Sequence, residues 1–329
     1  MKIGLTYDLR SEYLKEGYSE EETAEFDKED TIEGIESALI KLKHQVQRIG
    51  NIKQLTQHLV KGDRWDIVFN IAEGIHGLAR EAQVPAILDA YNIPYVFSDA
   101  FTLALTLHKG MTKHVIRDLG LATPDFCIVY NKEDIKKIDL KFPLFAKPVA
   151  EGTGKGITRN SKISNNSELE KSCIEILNKF KQPVLVEKFL PGREFTVGIV
   201  GNGKDARVIG VMEILLEDIA EQDAYSFFNK ENYTDLVKYT LIKNKEILKK
   251  CDELVLNAWR GLNCFDGGRM DVRMDENNVL NFIEVNPLAG LRPIHSDLVI
   301  LASMNGIAYN DLIAMIFNSA LKRLKISGK

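Results

Sequence analysis

The sequence of 329 residues lacks several features that mark particular classes of protein. It contains only four cysteines, at positions 127, 173, 251 and 264, and no Cys-x-x-Cys pair. This cysteine usage excludes a disulfide scaffold and a zinc framework, and it predicts a reducing, cytoplasmic location. No stretch reaches the roughly 18 consecutive apolar residues that a membrane helix needs, and no signal peptide is recognisable, so we expect no membrane partner.

The chain also lacks an excess of charge of either sign, because 43 Lys and Arg residues oppose 47 Asp and Glu residues. A protein that binds nucleic acid by charge alone is basic, so no nucleic-acid partner is predicted. With 45% hydrophobic and 27% charged residues, the composition is that of a globular protein. The length predicts two or three domains at roughly 100–200 residues each.

The first hundred residues alternate short apolar runs with apolar residues at helical spacing. Strands are predicted at 3–7, 45–49, 66–71 and 93–97, and helices at 31–43, 55–60 and 84–91. This order predicts a parallel sheet, whose ligands bind beyond the carboxyl ends of the strands. Residues 70–74, with Glu73, lie at such an end. The strongly charged stretch 12–30 is interpreted as a solvated loop, with a substrate-facing lid as the alternative.

Beyond residue 100 the pattern changes to short strands with fewer helices. A helix is predicted at 103–119, followed by strands at 126–129, 144–148 and 184–189 with a helix at 169–180 between the last two. Further strands are predicted at 195–200, 208–214, 268–274 and 279–285. Helices are predicted at 247–259, 298–304 and 310–324. We therefore expect a parallel α/β part followed by an α+β part.

A glycine-rich segment, Ala-Glu-Gly-Thr-Gly-Lys-Gly-Ile at 150–157, is the first candidate for phosphate binding. Its glycines allow a close approach of the backbone to a ligand, and its amides, with Thr153 and Lys155, can hold phosphate oxygens. A flexible surface hairpin is the alternative interpretation. Lys147, at the end of the preceding strand, and Lys109, after an apolar helix face, are placed to bind an anion.

An alternating segment near the C-terminus is the candidate metal site. Period two places Arg269 and Asp271 on one face of a strand, and 275–278 is a turn signal. With that turn, Arg269 is expected opposite Glu284, and Asp271 opposite Phe282. Asp271, Glu284 and Asn286 then share a polar face that suits Mg²⁺. The alternative is a solvated face with a simple Arg–Glu pair.

Five motifs in one order give the chain a resemblance to a known family. They are Leu-His-Lys-Gly-Met-Thr-Lys at 107–113, Ala-Lys-Pro at 146–148 with Glu-Gly-Thr-Gly-Lys-Gly at 151–156, Glu-Lys-Phe-Leu-Pro-Gly-Arg-Glu-Phe-Thr at 187–196, Arg-Met-Asp-Val at 269–272, and Glu-Val-Asn-Pro-Leu-Ala-Gly-Leu at 284–291. The chain resembles ATP-grasp enzymes, and most closely D-alanine–D-alanine ligases, from about residue 70 to 312. The resemblance implies an N-terminal parallel-sheet (pre-ATP-grasp) domain at 1–100, a central ATP-grasp lobe at 101–189 and a C-terminal lobe with the metal site at 190–329.

The resemblance also implies roles for individual residues. ATP would lie between two antiparallel sheets, and the residues implied to bind it are Lys109, Lys147, Gly152, Thr153, Gly154, Lys155, Gly156, Glu187, Lys188, Phe189, Leu190, Glu194 and Lys230. Two Mg²⁺ ions would be held by Asp271, Glu284 and Asn286. The residues implied in catalysis are Arg269, Gly290, Lys230 and Thr153, and Ser296 would hold the carboxylate of the second amino acid.

Three departures from the family pattern concern the amino-acid pocket. The dipeptide ligases carry a glutamate soon after the first strand, in Gly-Gly-x-Ser-x-Glu, and this chain has no secure counterpart of it. Glu231 stands where the family has a tyrosine, and Arg292 lies in a segment one residue longer than usual. From charge type, Arg292 is predicted to suit a carboxylate-bearing substrate and Glu231 an amine.

The predicted function is that of an ATP-dependent carboxylate–amine ligase that forms a dipeptide-like amide bond through an acyl phosphate. Its substrates would be amino acids or peptides, and a homodimer is a candidate assembly. One alternative is an ATP-binding regulatory or scaffold protein without ligase activity. A further alternative retains catalysis with a hydroxy acid or a larger peptide as acceptor.

Overall fold

The computed structural model describes residues 1–216 and 237–326. The strands are β1 Lys2–Thr6, β2 Gln45–Gly50, β3 Ile67–Asn70, β4 Phe126–Val129, β5 Leu144–Pro148, β6 Lys162–Ile163, β7 Val184–Lys188, β8 Glu194–Val200, β9 Arg207–Leu216, β10 Val237–Leu241, β11 Gly267–Met274 and β12 Leu280–Asn286. The helices are α1 Arg10–Lys15, α2 Glu29–Lys41, α3 Ile52–Val60, α4 Gln83–Ala90, α5 Ala100–Leu107, α6 Lys109–Asp118, α7 Lys132–Ile135, α8 Asn166–Phe180, α9 Lys245–Gly261, α10 Asp297–Met304 and α11 Tyr309–Leu324. Short 3₁₀ turns occur at Arg80–Ala82, Arg159–Ser161 and Gly203–Asp205.

The first sheet is parallel, with the strand order β2-β1-β3. Helix α2 packs on it because its apolar residues recur at helical spacing, and Ile32, Ile35 and Leu39 are all fully buried. The prediction of a strand at 93–97 was wrong. Only a single bridge joins Val68 to Tyr95 there, because the positive φ of Phe97 (76°) turns the chain away from the sheet.

Two antiparallel sheets follow, one of five strands in the order β10-β9-β8-β11-β12 and one of four in the order β4-β7-β5-β6. Helix α9 covers the larger sheet through a core that includes Trp259, and α8 covers the smaller sheet through Leu169 and Cys173. The uncovered faces of both sheets line a common cleft, to which Lys147 of β5 and Asp271 of β11 both contribute. A parallel sheet followed by two antiparallel sheets confirms the predicted mixed α/β and α+β class.

The predicted helix at 103–119 is two helices, α5 and α6, with a break at His108. The His108 side chain accepts a hydrogen bond from the amide of Met111 at 3.2 Å and so caps α6. The backbone amide of Lys109 donates to the carbonyl of Val149 at 2.9 Å. The break therefore ties the first residue of α6 to the start of the glycine-rich segment.

The last two helices complete the core of the first sheet. Leu312 and Phe317 of α11 are fully buried in the same apolar cluster as Ile3 of β1 and Ile32 of α2. Within residues 1–216 and 237–326, no single helix is long and apolar enough to cross a membrane, although the bent pair α10 and α11 passes that test together. The division into domains at 1–100, 101–189 and 190–329 stays a prediction.

Candidate active site

Two adjoining cavities contain most of the predicted site residues. The inter-sheet cleft, of about 90 Å³, is lined by these predicted residues: Lys109, Lys147, Gly154, Lys155, Glu187, Lys188, Phe189, Leu190, Glu194, Asp271 and Glu284. The large cavity, of about 450 Å³, is lined by these: Lys109, Gly152, Thr153, Arg269, Glu284, Asn286, Gly290, Arg292 and Ser296. Lys109 and Glu284 line both, so the cleft and the cavity meet at this pair, whose charged atoms are 3.5 Å apart.

A buried ion-pair network occupies the floor of the inter-sheet cleft. The two carboxylate oxygens of Glu187 pair with Lys147 and with Lys113, each at 2.8 Å, and all three side chains are at most 5% exposed. Burial alone would raise the pKa of Glu187, but the two lysine charges hold it below its ordinary value. Burial lowers the pKa of Lys113 to about 8. No role for Lys113 was predicted from the sequence. Its role as a partner of Glu187 is visible only in the folded structure.

The pKa of Lys147 is raised above its ordinary value, in contrast to that of Lys113. Burial would lower it, but the charges of Glu187 and Glu284 outweigh that effect. Lys147 therefore remains a protonated, positively charged group inside the cleft. Such a group is suited to bind an anionic ligand without a change of protonation.

The glycine-rich segment forms a loop between two paired antiparallel strands, β5 and β6, with Leu144 opposite Ile163. Gly156 lines neither cavity, and its role is conformational. Its φ is +77°, and a Cβ added there would lie 2.5 Å from Cγ of Pro148. Above the cleft, Lys155 pairs with Glu151 at 2.6 Å. The loop therefore holds its own lysine, Lys155, in an ion pair within the loop.

Glu25 is a site residue that the sequence reasoning missed. The interpretation of 12–30 as a solvated loop was wrong at this position, because the Glu25 side chain is only 6% exposed. Its carboxylate accepts a hydrogen bond from the amide of Gly152 and pairs with Arg80 at 2.7 Å and Lys155 at 3.5 Å. Burial would raise the pKa of Glu25, but Arg80 and Lys155 hold it at about 2.

The three predicted metal ligands lie on one polar face of β11 and β12, but the expected register was wrong. Asp271 lies opposite Glu284, and Arg269 lies opposite Asn286. Residues 275–279 form the turn, and a bulge after Asp271 shifts the pairing once more. The corrected register brings Asp271 and Glu284 directly together, closer than the expected one would have done.

The donor set at this face suits a divalent cation. Asp271 pairs with Arg269 and also accepts a hydrogen bond from Thr196 at 2.7 Å, so its charge is already balanced by a cation. The Nδ2 atom of Asn286 is buried without a hydrogen-bond partner in the described residues. Those residues contain no group of three His, Cys, Asp or Glu side chains arranged as a metal site. Two carboxylates and one amide agree with Mg²⁺, which keeps several ligands from water and phosphate.

The remaining predicted residues line the far side of the large cavity. The Ser296 hydroxyl accepts a hydrogen bond from the amide of Arg292 at 2.9 Å, and Gly290 lies close beside it. The Arg292 Nε donates to both carboxylate oxygens of Asp30, at 3.1 and 2.8 Å. Burial alone would lower the pKa of Arg269. The charges of Asp271 and other nearby acids outweigh this effect and raise the pKa above its ordinary value, so the guanidinium stays charged.

Two predicted residues, Lys230 and Glu231, lie outside the described residues. Their expected roles, as a phosphate ligand and an amine ligand, stay predictions.

The fold and the cleft define the class of protein. A lysine-lined cleft between two antiparallel sheets, preceded by a parallel sheet, is the architecture of ATP-grasp ligases. The structure of a D-alanine–D-alanine ligase from Bacillus anthracis complexed with ATP superposes on this chain with a TM-score of 0.74. The superposition covers 100% of both chains. At 22% sequence identity it shows that the two proteins share a fold.

Sequence comparison identifies the family. The family described as D-ala D-ala ligase C-terminus matches residues 115–318. The D-alanine–D-alanine ligase of Aquifex aeolicus (strain VF5) is 30% identical over 288 residues, 87% of this chain and 93% of that protein. The uncharacterized protein y4sG of Sinorhizobium fredii is 30% identical over 261 residues, 78% of this chain and 75% of that protein. The chain belongs to the D-alanine–D-alanine ligase family, and it is an ATP-dependent ligase that forms C–N bonds.

Proposed function

We propose that the chain activates a substrate carboxylate as an acyl phosphate with ATP and then transfers the acyl group to an amine, releasing ADP and phosphate. In this proposal the inter-sheet cleft holds the nucleotide and the large cavity holds the two amino-acid or peptide substrates. The observation that supports it most is that Lys109 and Glu284 line both cavities. The phosphoryl group and its acceptor carboxylate can therefore meet at one place.

On the nucleotide side, Lys109, Lys147 and Lys155 are proposed to bind the phosphates. Glu187 acts as a positioning residue, because it holds the ammonium group of Lys147 at 2.8 Å. Lys188, Phe189, Leu190 and Glu194 border the same cleft and are proposed to hold the nucleoside. Preorganised cations at the transferred group are the main source of catalysis in phosphoryl transfer.

Mg²⁺ is proposed to bind at Asp271, Glu284 and Asn286, where it would neutralise charge on the phosphates. In the chain alone, Arg269 and Lys109 supply positive charge to these carboxylates. When phosphate and metal are present, the two basic groups become available to the substrate.

On the acyl side, Arg269 and the amide of Gly290 are proposed to stabilise the oxyanion of the tetrahedral intermediate. Ser296, and the Arg292 nitrogen atoms that Asp30 leaves open, are proposed to hold the carboxylate of the amine substrate. Thr153, in the loop that covers the cavity, is proposed to assist closure. Lys230 would complete the phosphate ligands.

The substrates proposed for this site are small molecules, since a cavity of about 450 Å³ accommodates two amino acids. D-alanine, the substrate named for the ligases of Aquifex aeolicus and Bacillus anthracis, is one candidate among them. We also propose a cytoplasmic protein without nucleic-acid or membrane partners, and a homodimer as its assembly.

Phosphate release from ATP tests the function, with D- and L-amino acids supplied singly and in pairs and the products identified by mass spectrometry. Release that requires a pair, with a product of the mass of the amide, supports the proposal. A Lys147→Ala variant should abolish the release, and a Lys132→Ala variant on the exposed helix α7 should retain it. ATP binding without release under any pair would contradict the proposal and favour a regulatory protein.

A further inference from the structure

The start of the glycine-rich loop is held by a side chain that belongs to neither cavity. Gln182 lies in the segment that joins α8 to β7, and it lines neither the inter-sheet cleft nor the large cavity. It borders a separate groove of about 470 Å³ that residues of α7 and α8 also line. No step of the proposed reaction involves its side chain.

The Gln182 side chain extends the pairing of β5 with β7. Beyond the strand ends, the amide of Val149 donates to the carbonyl of Pro183 at 3.1 Å. At the next residue, the amide of Ala150 donates to Oε1 of Gln182 at 2.7 Å. The carbonyl of Ala150 accepts a hydrogen bond from Arg80 at 2.7 Å. Both backbone groups of the residue that leads into the loop are therefore fixed by side chains.

The other end of the Gln182 amide reaches Glu151. Its Nε2 donates to Oε1 of Glu151 at 2.6 Å. Only an oxygen can accept from the Ala150 amide, and only an NH₂ group can donate to a carboxylate, so the two contacts together allow one orientation of the side-chain amide. Gln182 therefore holds two consecutive residues of the loop at once.

Glu151 in turn holds two lysines that are proposed to bind phosphate. Its Oε2 pairs with Nζ of Lys155 at 2.6 Å, and its backbone carbonyl accepts a hydrogen bond from Nζ of Lys109 at 2.6 Å. Both lysine side chains are buried, and both line the inter-sheet cleft. Each also pairs with one further carboxylate, Lys155 with Glu25 and Lys109 with Glu284. An ammonium group has three N–H donors, so each lysine keeps a donor for a phosphate.

We propose that Gln182 is a positioning residue for ATP: it fixes Glu151, and Glu151 fixes the ammonium groups of Lys109 and Lys155 where the phosphates bind. A lysine side chain loses rotamer entropy when it binds a ligand, and a contact that orders the side chain beforehand lowers this cost. Gln182 therefore strengthens phosphate binding without contacting the nucleotide. This inference rests on the proposed function for the roles of Lys109 and Lys155.

Nucleotide binding to the full chain tests the inference, with ATP compared with adenosine in the presence of Mg²⁺ and without amino acids. Displacement of a fluorescent ATP analogue measures both affinities. Gln182→Met keeps the length of the side chain and removes both hydrogen bonds. It should weaken ATP binding about tenfold, because two lysines are no longer ordered in advance. It should leave adenosine binding unchanged, because adenosine has no phosphate. A role in folding alone would not separate the two ligands.

Two exposed residues provide the controls. Asn178→Ala, in the same groove, and Glu170→Gln, on α8, should bind both ligands as the unmodified chain does. Thermal melting reports whether Gln182→Met folds, and Gln182→Ala takes its place if it does not. A folded Gln182 variant that binds ATP as tightly as the unmodified chain would overturn the inference, and so would an equal loss of affinity for ATP and adenosine.

The inference and the proposed function fail in different experiments. Binding is measured without amino acids, so a selective loss of ATP affinity in Gln182→Met, in a protein that releases no phosphate with any substrate pair, would refute the amide-forming reaction only. Phosphate release that requires a substrate pair, together with unchanged ATP affinity in the folded Gln182 variant, would refute the role of Gln182 only.

Discussion

The carboxylate of Glu25 accepts a hydrogen bond from the amide of Gly152, a residue 127 positions later in the chain. The same carboxylate lines the large cavity and pairs with Lys155 of the glycine-rich loop. The segment before α2 is therefore in direct contact with the glycine-rich loop, whose Lys155 is proposed to bind phosphate. We therefore expect occupancy of the cavity to affect the position of the loop through the Glu25 side chain.

Replacement of Glu25 tests this coupling. In Glu25→Gln, the loop loses a charged partner for Lys155, and kcat should fall about tenfold or more because the loop is held less accurately. Steady-state kinetics with varied ATP measures the effect. Glu33→Gln, on the exposed face of α2, is the control and should behave as the unmodified chain does. An unchanged kcat in folded Glu25→Gln would show that this contact does not position the loop.

Glu187 is expected to be the most sensitive residue for stability in the inter-sheet cleft. Glu187→Gln removes the carboxylate that pairs with two buried lysines, and the free energy of unfolding should fall by about 3–5 kcal/mol. Urea denaturation measures it. Glu253→Gln, which removes an exposed pair with Lys249, should cost less than about 1 kcal/mol. A similar fall in the free energy of unfolding in both variants would show that the buried network does not stabilise the fold more than an exposed ion pair does.

The proposed metal site predicts a change in the requirement for Mg²⁺. Glu284→Gln should raise the Mg²⁺ concentration for half-maximal activity at least about tenfold, because a carboxylate ligand is lost. The readout is phosphate release across a Mg²⁺ titration. Glu253→Gln, in an exposed pair with Lys249 on α9, is the control. An equal Mg²⁺ requirement in both variants would exclude Glu284 as a ligand.

The raised pKa of Glu81 predicts a pH-dependent difference in stability. Its folded pKa is about 7 and its ordinary value is 4.5, so between these values the folded form keeps a proton that the unfolded form has lost. Rising pH through this window therefore lowers the free energy of unfolding. Relative to Glu81→Gln, the unmodified chain should lose stability from about pH 4.5 to 7 and then level off.

Urea denaturation of both proteins at a series of pH values checks this, with Glu170→Gln as a reference. A difference between the unmodified chain and Glu81→Gln that rises with pH would show that the Glu81 carboxylate gains a cation partner on folding.

The polar face of the metal site could be predicted because strand periodicity is local. Alternation alone placed Asp271 beside the return strand with Glu284 and Asn286. The register could not be read in the same way, since it depends on a bulge after Asp271 and on the length of the turn. Sequence spacing carries no signal for either, and the expected pairing of Arg269 with Glu284 was therefore wrong.

Long-range contacts account for what the sequence reasoning missed in the site. The carboxylate of Glu25 stands among several acids in a charged stretch, and nothing nearby distinguishes it from Glu22, which is exposed. Its partners, Arg80 and Gly152, come from distant parts of the chain. The break at His108 was missed for a related reason, because the amide of Lys109 is held by Val149 and not by its own helix.

The packing of α11 against the first sheet has a consequence for how the protein is made. The apolar side of β1 and α2 is emerging from the ribosome long before Leu312 and Phe317 are synthesised to cover it. Until then that apolar surface is exposed to water. A fragment that ends before α10 would leave it exposed. Because the first sheet and α11 share one apolar core, removal of α11 should expose that core and make the protein aggregate, which light scattering would detect.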